Sequence, residues 1–385
     1  MAPALAPQRT TGPGRRPLRV GLVGSGFMGR AHAQAFRAAE FTYALPVGLV
    51  LEMLADQDGE QAEGAARRFG FARSTGDWRA LVSDPAIDLV AIATPNLLHA
   101  PIALAAVASG KAVYCEKPLA ASLADAVTMA RAAEAAALPT SVGFTYLFNP
   151  MIALARDLIA SGEIGEITAF RAVHAEDFMA DAAAPFSWRC ERENAGGALA
   201  DLGSHVIAMA RHLVGEIESV SGVLATAHPW RPGADGAPRA VAVDDQADAA
   251  IRFASGAIGT LSASWIAAGW KMGLAFQATG AKGAIAFSQE RLNELRLYRS
   301  GAPAPTEGFT TLLAGPQHGD YGAFCPAPGH QLGYNDLKTI EVKETIAAAA
   351  GMPSAAKDFA FALEVEQAAD AIRRSHRERR WIDVL

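Results

Sequence analysis

A glycine-rich turn near the amino-terminal end, Gly24-Ser25-Gly26-Phe27-Met28-Gly29, constrains the fold more than any other feature of this sequence. It follows the apolar run Leu18–Val23, which is typical of a buried parallel strand. It precedes an alanine-rich stretch without proline, residues 30–39, which predicts a helix. A strand, a Gly-x-Gly-x-x-Gly turn and a helix form the dinucleotide-binding arrangement.

Each glycine of this turn has its own role in such a site. Gly24 permits the tight turn, Gly26 lets the backbone approach a pyrophosphate, and Gly29 lets the helix pack closely on the strand. The helix N-terminus then offers N–H groups and a positive dipole end to the phosphates. We therefore expect all three glycines, with Phe27 and Met28 between them, to line a cofactor site.

The composition limits the possible classes of protein. A length of 385 residues suggests two domains, and a hydrophobic content of 51% allows a sizeable core. The net charge is −6 without a basic or acidic block, so we expect no nucleic-acid partner. No apolar run approaches the ~20 residues of a membrane span. The three cysteines are few and widely separated, which indicates neither a disulfide framework nor a zinc site and favours the cytoplasm.

The first 17 residues, rich in proline, glycine and arginine, predict a flexible tail. Arg15-Arg16 resembles a twin-arginine export signal. The apolar run that follows is the cofactor strand itself, so cleavage there would destroy the first domain. We therefore predict that the protein is not exported.

From residue 18 to residue 143 the pattern alternates between strands and helices. Apolar strands are predicted at 18–23, 49–55, 88–93, 112–115 and 140–144, with helices at 30–39, 60–69, 101–109 and after Ser122, which can cap its helix together with Asp125. This alternation predicts an α/β fold with a doubly wound parallel sheet.

From residue 144 to residue 385 the pattern changes to longer strands. They are predicted at 167–174, 219–224, 247–253, 258–265, 274–279 and 295–298, with helices at 151–161, 198–214, 336–350 and 355–375. The stretches 228–244 and 301–333 are predicted to be loops, the second long enough to suggest a functional role. We expect a second α/β domain with a large, mostly antiparallel sheet.

Asp56 ends the second predicted strand. An acidic residue there can accept both ribose hydroxyls of an adenosine and would repel a 2′-phosphate. Gln57 beside it is not an arginine that could hold such a phosphate, so the sequence favours NAD over NADP. The alternative is that Asp56 is an ordinary turn residue.

Two further motifs follow predicted strands at the same sheet edge. Thr94-Pro95-Asn96, with His99 three residues on, can contact the cofactor, although a generic turn explains it equally well. In Glu116-Lys117-Pro118, Lys117 can bond a substrate oxygen and stabilise negative charge, or it can be a surface lysine.

Asp201 and His205 are four residues apart in a predicted helix. At that spacing they share a face, so the carboxylate can orient the imidazole and keep it basic. The alternatives are a solvated surface pair and a metal site, for which two ligands are too few.

These motifs, in this order, resemble the glucose–fructose oxidoreductase/inositol dehydrogenase (Gfo/Idh/MocA) family over nearly the whole chain. The resemblance implies a Rossmann domain, a second domain with a large open sheet that forms dimers or tetramers, and a catalytic group of Lys117, Asp201 and His205. It also implies that Glu116 lies in the cofactor site. Among subfamilies, those acting on levoglucosan and scyllo-inositol look most similar.

The resemblance also implies a set of substrate contacts. They are Tyr146, Trp188, Arg189 and Tyr334, to which we add Glu176 and His330 as weaker candidates, with His174 and Asp177 beside them. Leu147 replaces the arginine that usually follows the tyrosine in the family, which puts that arginine's role in doubt here.

The expected function is NAD-dependent oxidation of a ring hydroxyl of a cyclic polyol or sugar. Three alternatives stay open: an NADP-dependent reductase of a keto or anhydro sugar, a sugar-sensing regulator without catalysis, and a cofactor-dependent glycosidase or an enzyme acting on another ring.

Overall fold

A computed structural model describes residues 16–194, 196–301 and 303–384. The predicted tail at 1–17 therefore lies outside the described residues except for Arg16 and Pro17; Arg16 donates to Asp88 through Nη1 at 3.1 Å. Arg15 also lies outside them. Among the described residues, no helix combines the length and apolarity needed to cross a membrane.

The first domain contains a parallel sheet. Its strands within the described residues are β1 (Leu18–Val23), β2 (Leu49–Ala55), β3 (Arg73–Thr75), β4 (Leu89–Ile92), β5 (Ala112–Cys115) and β6 (Thr140–Val142). They pair in the order β3-β2-β1-β4-β5-β6, which places a topological switch between β1 and β4. In such sheets ligands bind at the carboxyl ends of the strands beside this switch.

Helices connect these strands. They are α1 (Phe27–Thr42), α2 (Gly59–Phe69), α3 (Trp78–Ser83), α4 (His99–Ala108) and α5 (Leu123–Ala136). The backbone N–H of Asp125 donates to Ser122 Oγ at 3.1 Å, so Ser122 caps α5 as predicted. α2 is capped by Asp58 and ends at Gly70, whose φ of +84° suits a residue without a side chain.

The second domain is built on one large sheet. Its elements are α6 (Pro150–Ala160), β7 (Ile167–Ala175), α7 (Ser204–Leu213), β8 (Ile217–Ala225), β9 (Trp230–Pro232), β10 (Pro238–Ala240), β11 (Gln246–Phe253), β12 (Ile258–Ser264), β13 (Gly273–Gly280), β14 (Gly283–Ser288), β15 (Glu294–Arg299), β16 (Thr310–Leu313), α8 (Tyr321–Phe324), α9 (Tyr334–Ala349), α10 (Phe359–Glu378) and β17 (Ile382–Asp383). The sheet order is β16-β15-β14-β13-β7-β12-β11-β8-β17, and among the described pairs of this sheet only β7 and β12 are parallel. The predicted fold class is confirmed.

The two C-terminal helices tie the domains together. Val342 and Ile346 of α9 pack in the same apolar cluster as Leu22 and Leu54 of the first sheet. Helix α10 packs between α5 of the first domain and β8 of the second. The predicted division of the chain between residues 143 and 144 did not anticipate that a segment so late in the sequence packs on the first sheet.

Several local predictions were wrong. The predicted loop 228–244 contains the hairpin of β9 and β10, and the predicted loop 301–333 contains β16 and α8. The predicted helix 198–214 begins with a separate π-helical turn, Leu199–Gly203. The polar edge strand β3 and the short helix α3 were not predicted, because neither has a long apolar pattern.

Candidate active site

Neighbouring atoms require two of the three glycines of the turn, and the third faces open space. Gly24 has a φ of +101°, and a Cβ there would lie 2.4 Å from the carbonyl oxygen of Ala93. A Cβ on Gly29 would lie 2.0 Å from the carbonyl oxygen of Gly24, so this residue lets α1 pack on the turn. A Cβ on Gly26 would have no neighbour within 4 Å. The space beside Gly26 is therefore open to a ligand.

A cleft of about 1270 Å³ opens at the carboxyl ends of the first sheet's strands and continues to the second domain. This exceeds the usual ~300–1,000 Å³ of a small-molecule site, so a dinucleotide and a sugar can both fit. From the predicted set it is lined by Gly24, Gly26, Phe27, Met28, Asp56, Thr94, Pro95, Asn96, Glu116, Lys117, Tyr146, Glu176, Trp188, Arg189, Asp201, His205 and Tyr334.

At one end of the cleft, Asp56 is held in place by the glycine turn. Its Oδ2 accepts from the backbone N–H of Ser25 at 2.8 Å and from Ser25 Oγ at 2.6 Å. Its Oδ1 accepts from the backbone N–H of Gln57 at 2.7 Å. A carboxylate oxygen has two lone pairs, so Oδ1 keeps capacity to accept from a ribose hydroxyl, whereas both lone pairs of Oδ2 are already used.

Lys117 and Asp201 form the polar centre of the cleft. Lys117 Nζ donates to Asp201 Oδ1 at 2.6 Å and to the Asp201 carbonyl oxygen at 2.8 Å. Arg189 Nε donates to Asp201 Oδ2 at 3.2 Å. Burial would raise the pKa of the Asp201 carboxyl, but the charges of Lys117 and Arg189 lower this pKa to about 2.

The predicted orientation of His205 by Asp201 is wrong, because no hydrogen bond joins the two side chains. Both carboxylate oxygens of Asp201 instead accept from cations, Oδ1 from Lys117 and Oδ2 from Arg189. Asp201 lies in the π-helical turn Leu199–Gly203, and the cations that hold it come from outside that turn.

His205 instead lies against aromatic rings. Its ring centroid is 4.7 Å from that of Tyr146, 5.4 Å from that of His174 and 6.4 Å from that of Phe144. Burial, followed by the nearby charge of Lys117, lowers the pKa of His205 well below its usual value. The imidazole is therefore neutral near pH 7 and can accept a proton.

The second domain supplies most of the wall facing Lys117 and His205. His174 and Glu176 form a pair, with His174 Nε2 3.0 Å from Glu176 Oε1. The guanidinium of Arg189 lies 4.4 Å from the centre of the Trp188 ring. Tyr334, at the start of α9, donates to Met28 Sδ at 3.5 Å and so reaches back to the glycine turn.

Four predicted contacts are corrected. His99 is fully buried with its ring nitrogens 2.9 Å from the Pro118 carbonyl oxygen and 3.1 Å from that of Thr94, so it does not line the cleft. Gly29 packs against the turn instead of lining the cleft. His330 is exposed and its Nδ1 faces the Ala327 carbonyl oxygen; it also lies outside the cleft. Asp177 pairs with Lys271 at 2.6 Å, away from the lining.

Asn96 lines the cleft, where a cofactor contact was predicted for it, and it also has a second role. It is buried, and its Nδ2 donates to the Asn194 carbonyl oxygen at 2.7 Å. This bond joins the first domain to the loop that carries Trp188 and Arg189. The Asn96 amide therefore lines the cleft and also holds the loop that forms part of its wall, which the turn motif alone could not indicate.

Other lining residues were not predicted, including Trp78, Phe178, Met272, Gln289 and Leu292. They lie on α3 and on loops without a recognisable motif, so only the fold brings them together. Within the described residues, no group of three or more His, Cys, Asp or Glu side chains is placed to hold a metal ion.

Comparison with known proteins gives matches along most of the chain. Residues 18–144 match the family described as "Oxidoreductase family, NAD-binding Rossmann fold", and residues 152–286 match "GFO/IDH/MocA C-terminal domain". Levoglucosan dehydrogenase of Pseudarthrobacter phenanthrenivorans is 40% identical over 382 residues, covering 95% of this chain and 98% of that protein.

Two further similarities concern cofactor and substrate. A solved structure titled "Levoglucosan dehydrogenase, complex with NADH and levoglucosan" has a TM-score of 0.92 at 40% identity, covering 96% of this chain and 100% of that one. The scyllo-inositol 2-dehydrogenase (NAD(+)) of Bacillus subtilis is 31% identical over 206 residues, 53% of this chain and 56% of that protein.

Proposed function

The chain belongs to the Gfo/Idh/MocA family of NAD-dependent oxidoreductases, and we propose that it oxidises one ring hydroxyl of levoglucosan or of a related cyclic polyol or sugar to a ketone. The similarity to levoglucosan dehydrogenase over almost the full length of both chains supports the first substrate. Inositols are the second candidate substrates, because about half of this chain is similar in sequence to a scyllo-inositol dehydrogenase.

The cleft fits the cofactor of this family. The open space beside Gly26 suits a pyrophosphate, and Oδ1 of Asp56 has an acceptor site left for an adenosine ribose hydroxyl. When bound, the nicotinamide ring supplies the acceptor for the hydride that leaves the substrate carbon. Asp56 would repel the extra phosphate of NADP, which agrees with the NAD-binding family match.

His205 is the proposed general base. Its neutral ring takes the proton of the reacting hydroxyl, for which an imidazole in a cleft is suited. Lys117 has three N–H donors, of which two bond Asp201, so the third remains for the substrate oxygen. There it stabilises the negative charge that develops as the proton leaves.

Asp201 then acts on Lys117 and Arg189, and does not orient His205. Its carboxylate fixes both cations and compensates their charge within the cleft. The Trp188 ring offers a flat apolar face of the kind that packs on the C–H groups of a sugar ring, while Glu176 and Tyr146 offer polar atoms to hydroxyls.

One observation carries this proposal: an amine, a carboxylate and an imidazole from distant parts of the chain meet in the cleft that begins at the glycine turn.

We also propose that the protein is a homodimer or homotetramer formed through the second sheet, whose edge and face expose Val223 and Ile258. Three unpaired, buried cysteines support a reducing, cytoplasmic location.

A substrate panel tests the proposed function. Nicotinamide reduction is followed with levoglucosan, myo- and scyllo-inositol and common monosaccharides, each with NAD and with NADP. We expect turnover with NAD and levoglucosan or an inositol. Turnover only in the reverse direction with NADPH would support the reductase, and cofactor binding without any turnover would support a sensor.

Replacing the proposed base tests the assignment of His205. We expect His205→Ala to lower kcat by roughly 10²–10⁴-fold, because a positioned base contributes about that much. The matched control is His212→Gln, on the same helix but outside the cleft lining, which should keep the wild-type kcat. Near-normal turnover of His205→Ala with the true substrate would remove His205 from the mechanism.

A further inference from the structure

A lysine without solvent exposure lies directly behind the active site. Lys338 of α9 is 0% exposed, and its Nζ lies within hydrogen-bond distance of four oxygen atoms. These are Glu116 Oε1 at 2.6 Å, Tyr114 Oη at 2.9 Å, Glu341 Oε2 at 2.9 Å and Thr145 Oγ1 at 3.1 Å. A buried ammonium is costly unless it is paired in this way, so its presence in the core calls for a role.

Two of the four partners of Lys338 come directly before residues that line the cleft. Glu116 comes directly before Lys117, and Thr145 comes directly before Tyr146, whose ring lies against His205. Tyr334, one helical turn before Lys338 on α9, lines the cleft. Lys338 itself does not line the cleft. It can therefore affect the reaction only through its neighbours.

Glu116 is held on several sides. The same Oε1 that accepts from Lys338 lies 2.6 Å from His32 Nε2, and the His32 ring stacks on the Tyr114 ring at 4.5 Å. A Cβ on Gly143 would lie 2.6 Å from Glu116 Oε2, so glycine is needed to leave room for this carboxylate. These contacts hold the Glu116 side chain in one position, and the ammonium of Lys338 is its principal counter-charge.

The residues after Lys117 are also fixed. The carbonyl oxygen of Pro118 faces His99 Nδ1 at 2.9 Å, and the backbone N–H of Leu119 donates to Glu366 Oε1 of α10 at 3.0 Å. The loop that carries Lys117 is thus anchored by α9 before the lysine and by α10 after it.

We propose that Lys338 is a positioning residue for the proposed reaction. It holds Glu116, and through Glu116 it places the Lys117 ammonium against Asp201 and toward the substrate oxygen. The helix α9 thereby links the cleft wall at Tyr334 to the catalytic lysine. This inference rests on the proposed function for the role of Lys117, but the placement of Lys117 can be measured without turnover.

The test compares Lys338→Met, which removes the donor of the bond between Lys338 and Glu116, with Glu116→Gln, which removes the charge of its acceptor. We expect each to lower kcat by roughly 10²-fold, as a misplacement of about 1 Å can, with little change in the KM of the sugar. The Kd of NADH should stay unchanged in Lys338→Met, because Lys338 lies outside the cleft lining. The double variant should lose no more than the worse single variant, because both act through one contact.

Lys111→Met is the matched control for losing a buried lysine. Lys111 is also buried in the first domain, but it donates to the carbonyl oxygens of Asp84 and Ile87 before β5 begins, whereas Glu116 follows the end of that strand. We expect Lys111→Met to reduce stability and to leave kcat unchanged.

A second readout does not depend on the substrate. The rate at which a small acylating reagent modifies Lys117, measured by peptide mass spectrometry, reports how well this amine is held against Asp201. We expect it to rise several-fold in Lys338→Met and Glu116→Gln and to stay constant in Lys111→Met. If the wild type oxidises none of the sugars, the proposed function fails while this labelling still decides the positioning role.

Should Lys338→Met fail to fold, Gly143→Ala is the second variant, because its methyl group displaces Glu116 without removing a charge. Gly64→Ala controls for the added methyl group, which meets no atom within 4 Å at that position. We expect Gly143→Ala to lower kcat and expose Lys117 to acylation, and Gly64→Ala to do neither. Wild-type kcat and wild-type Lys117 labelling in Glu116→Gln and Gly143→Ala, or additive losses in the double variant, would overturn the proposal.

Discussion

At the residue scale, His205 differs from a surface histidine in both its partners and its charge. Three rings surround its imidazole, and no described residue forms a hydrogen bond with the ring nitrogens. Because burial and the Lys117 charge both disfavour a second proton, its pKa lies well below the usual value. The ring is thus held as a free base whose open face is toward the cleft.

This environment predicts the pH dependence of the reaction. A base with a lowered pKa stays unprotonated, and so able to take the substrate proton, down to a lower pH. The acid limb of kcat/KM should therefore lie well below pH 6.5. In Lys117→Met the second cause of the lowering is gone, and the limb of the residual activity should move to higher pH. A pH–rate profile of both enzymes checks this. An acid limb near pH 6.5 in the wild type, or one unmoved by the substitution, would contradict it.

Single residues also show how far motifs can predict a site. The sequence context predicted Lys117, Asp201 and His205, and all three line one cleft. The contact between Asp201 and Arg189 was not predicted, since Arg189 reaches Asp201 only through the folded loop. Likewise Lys338 and Glu341, three residues apart, would pass for a surface ion pair, and only the packing of α9 shows that they are buried.

At the scale of elements, strands and helices with long apolar patterns were predicted well. The bounds of β1, β2 and β5 agree with the predicted ones to the residue. Short or polar elements such as β3 and the hairpin of β9 and β10 were missed, because they are stabilised by pairing with neighbours and carry no pattern of their own. The π-helical turn has no sequence signal that distinguishes it from the α-helix that follows.

The turn between β1 and α1 allows a test of cofactor binding that is separate from folding. A methyl group on Gly26 would meet no protein atom, so Gly26→Ala should keep the wild-type melting temperature. The methyl group would occupy the space proposed for the pyrophosphate, so we expect the Kd of NADH to rise roughly ten-fold or more. Each factor of ten corresponds to a loss of about 1.4 kcal/mol of binding free energy. NADH fluorescence titration measures it. An unchanged Kd would place the pyrophosphate elsewhere.

The control for Gly26→Ala is Gly64→Ala on α2, where an added methyl group likewise meets no atom within 4 Å. This variant lies outside the cleft lining and should bind NADH as the wild type does. Alanine is favoured over glycine within a helix, so its stability should rise by about 0.5–1 kcal/mol.

At the scale of the whole molecule, the chain returns to its first domain at the end. The two-domain organisation followed from the change in strand pattern near residue 144. The return of α9 to the first sheet could not be predicted, because its apolar residues Val342 and Ile346 fit any core. The consequence is that the loop carrying Lys117 depends on helices more than 200 residues later in the sequence, as the contact of Leu119 with Glu366 illustrates.

Two histidines, buried His32 in the first domain and partly buried His212 in the second, contribute to the pH dependence of stability. Burial, then the charges of Lys357 and Arg156, lower the pKa of His212 to about 3, and burial lowers that of His32 to about 4. Below pH 6.5 the unfolded chain binds protons that the folded chain does not, so these groups lower the free energy of unfolding as the pH falls. Glu366, whose pKa burial raises to about 7, acts in the opposite direction between pH 4.5 and 7.

The difference between the wild type and His212→Gln isolates one of these contributions. Between pH 7 and pH 5 the unfolded histidine gains its proton while folded His212 stays neutral, so its share of the loss is about 1–2 kcal/mol. We expect the free energy of unfolding to fall by that much less in His212→Gln over the same interval. Urea unfolding of both proteins without cofactor at the two pH values measures it. Since Glu366 and His32 are unchanged in the variant, their contributions cancel, and an equal pH dependence in both proteins would mean that His212 is protonated in the folded state.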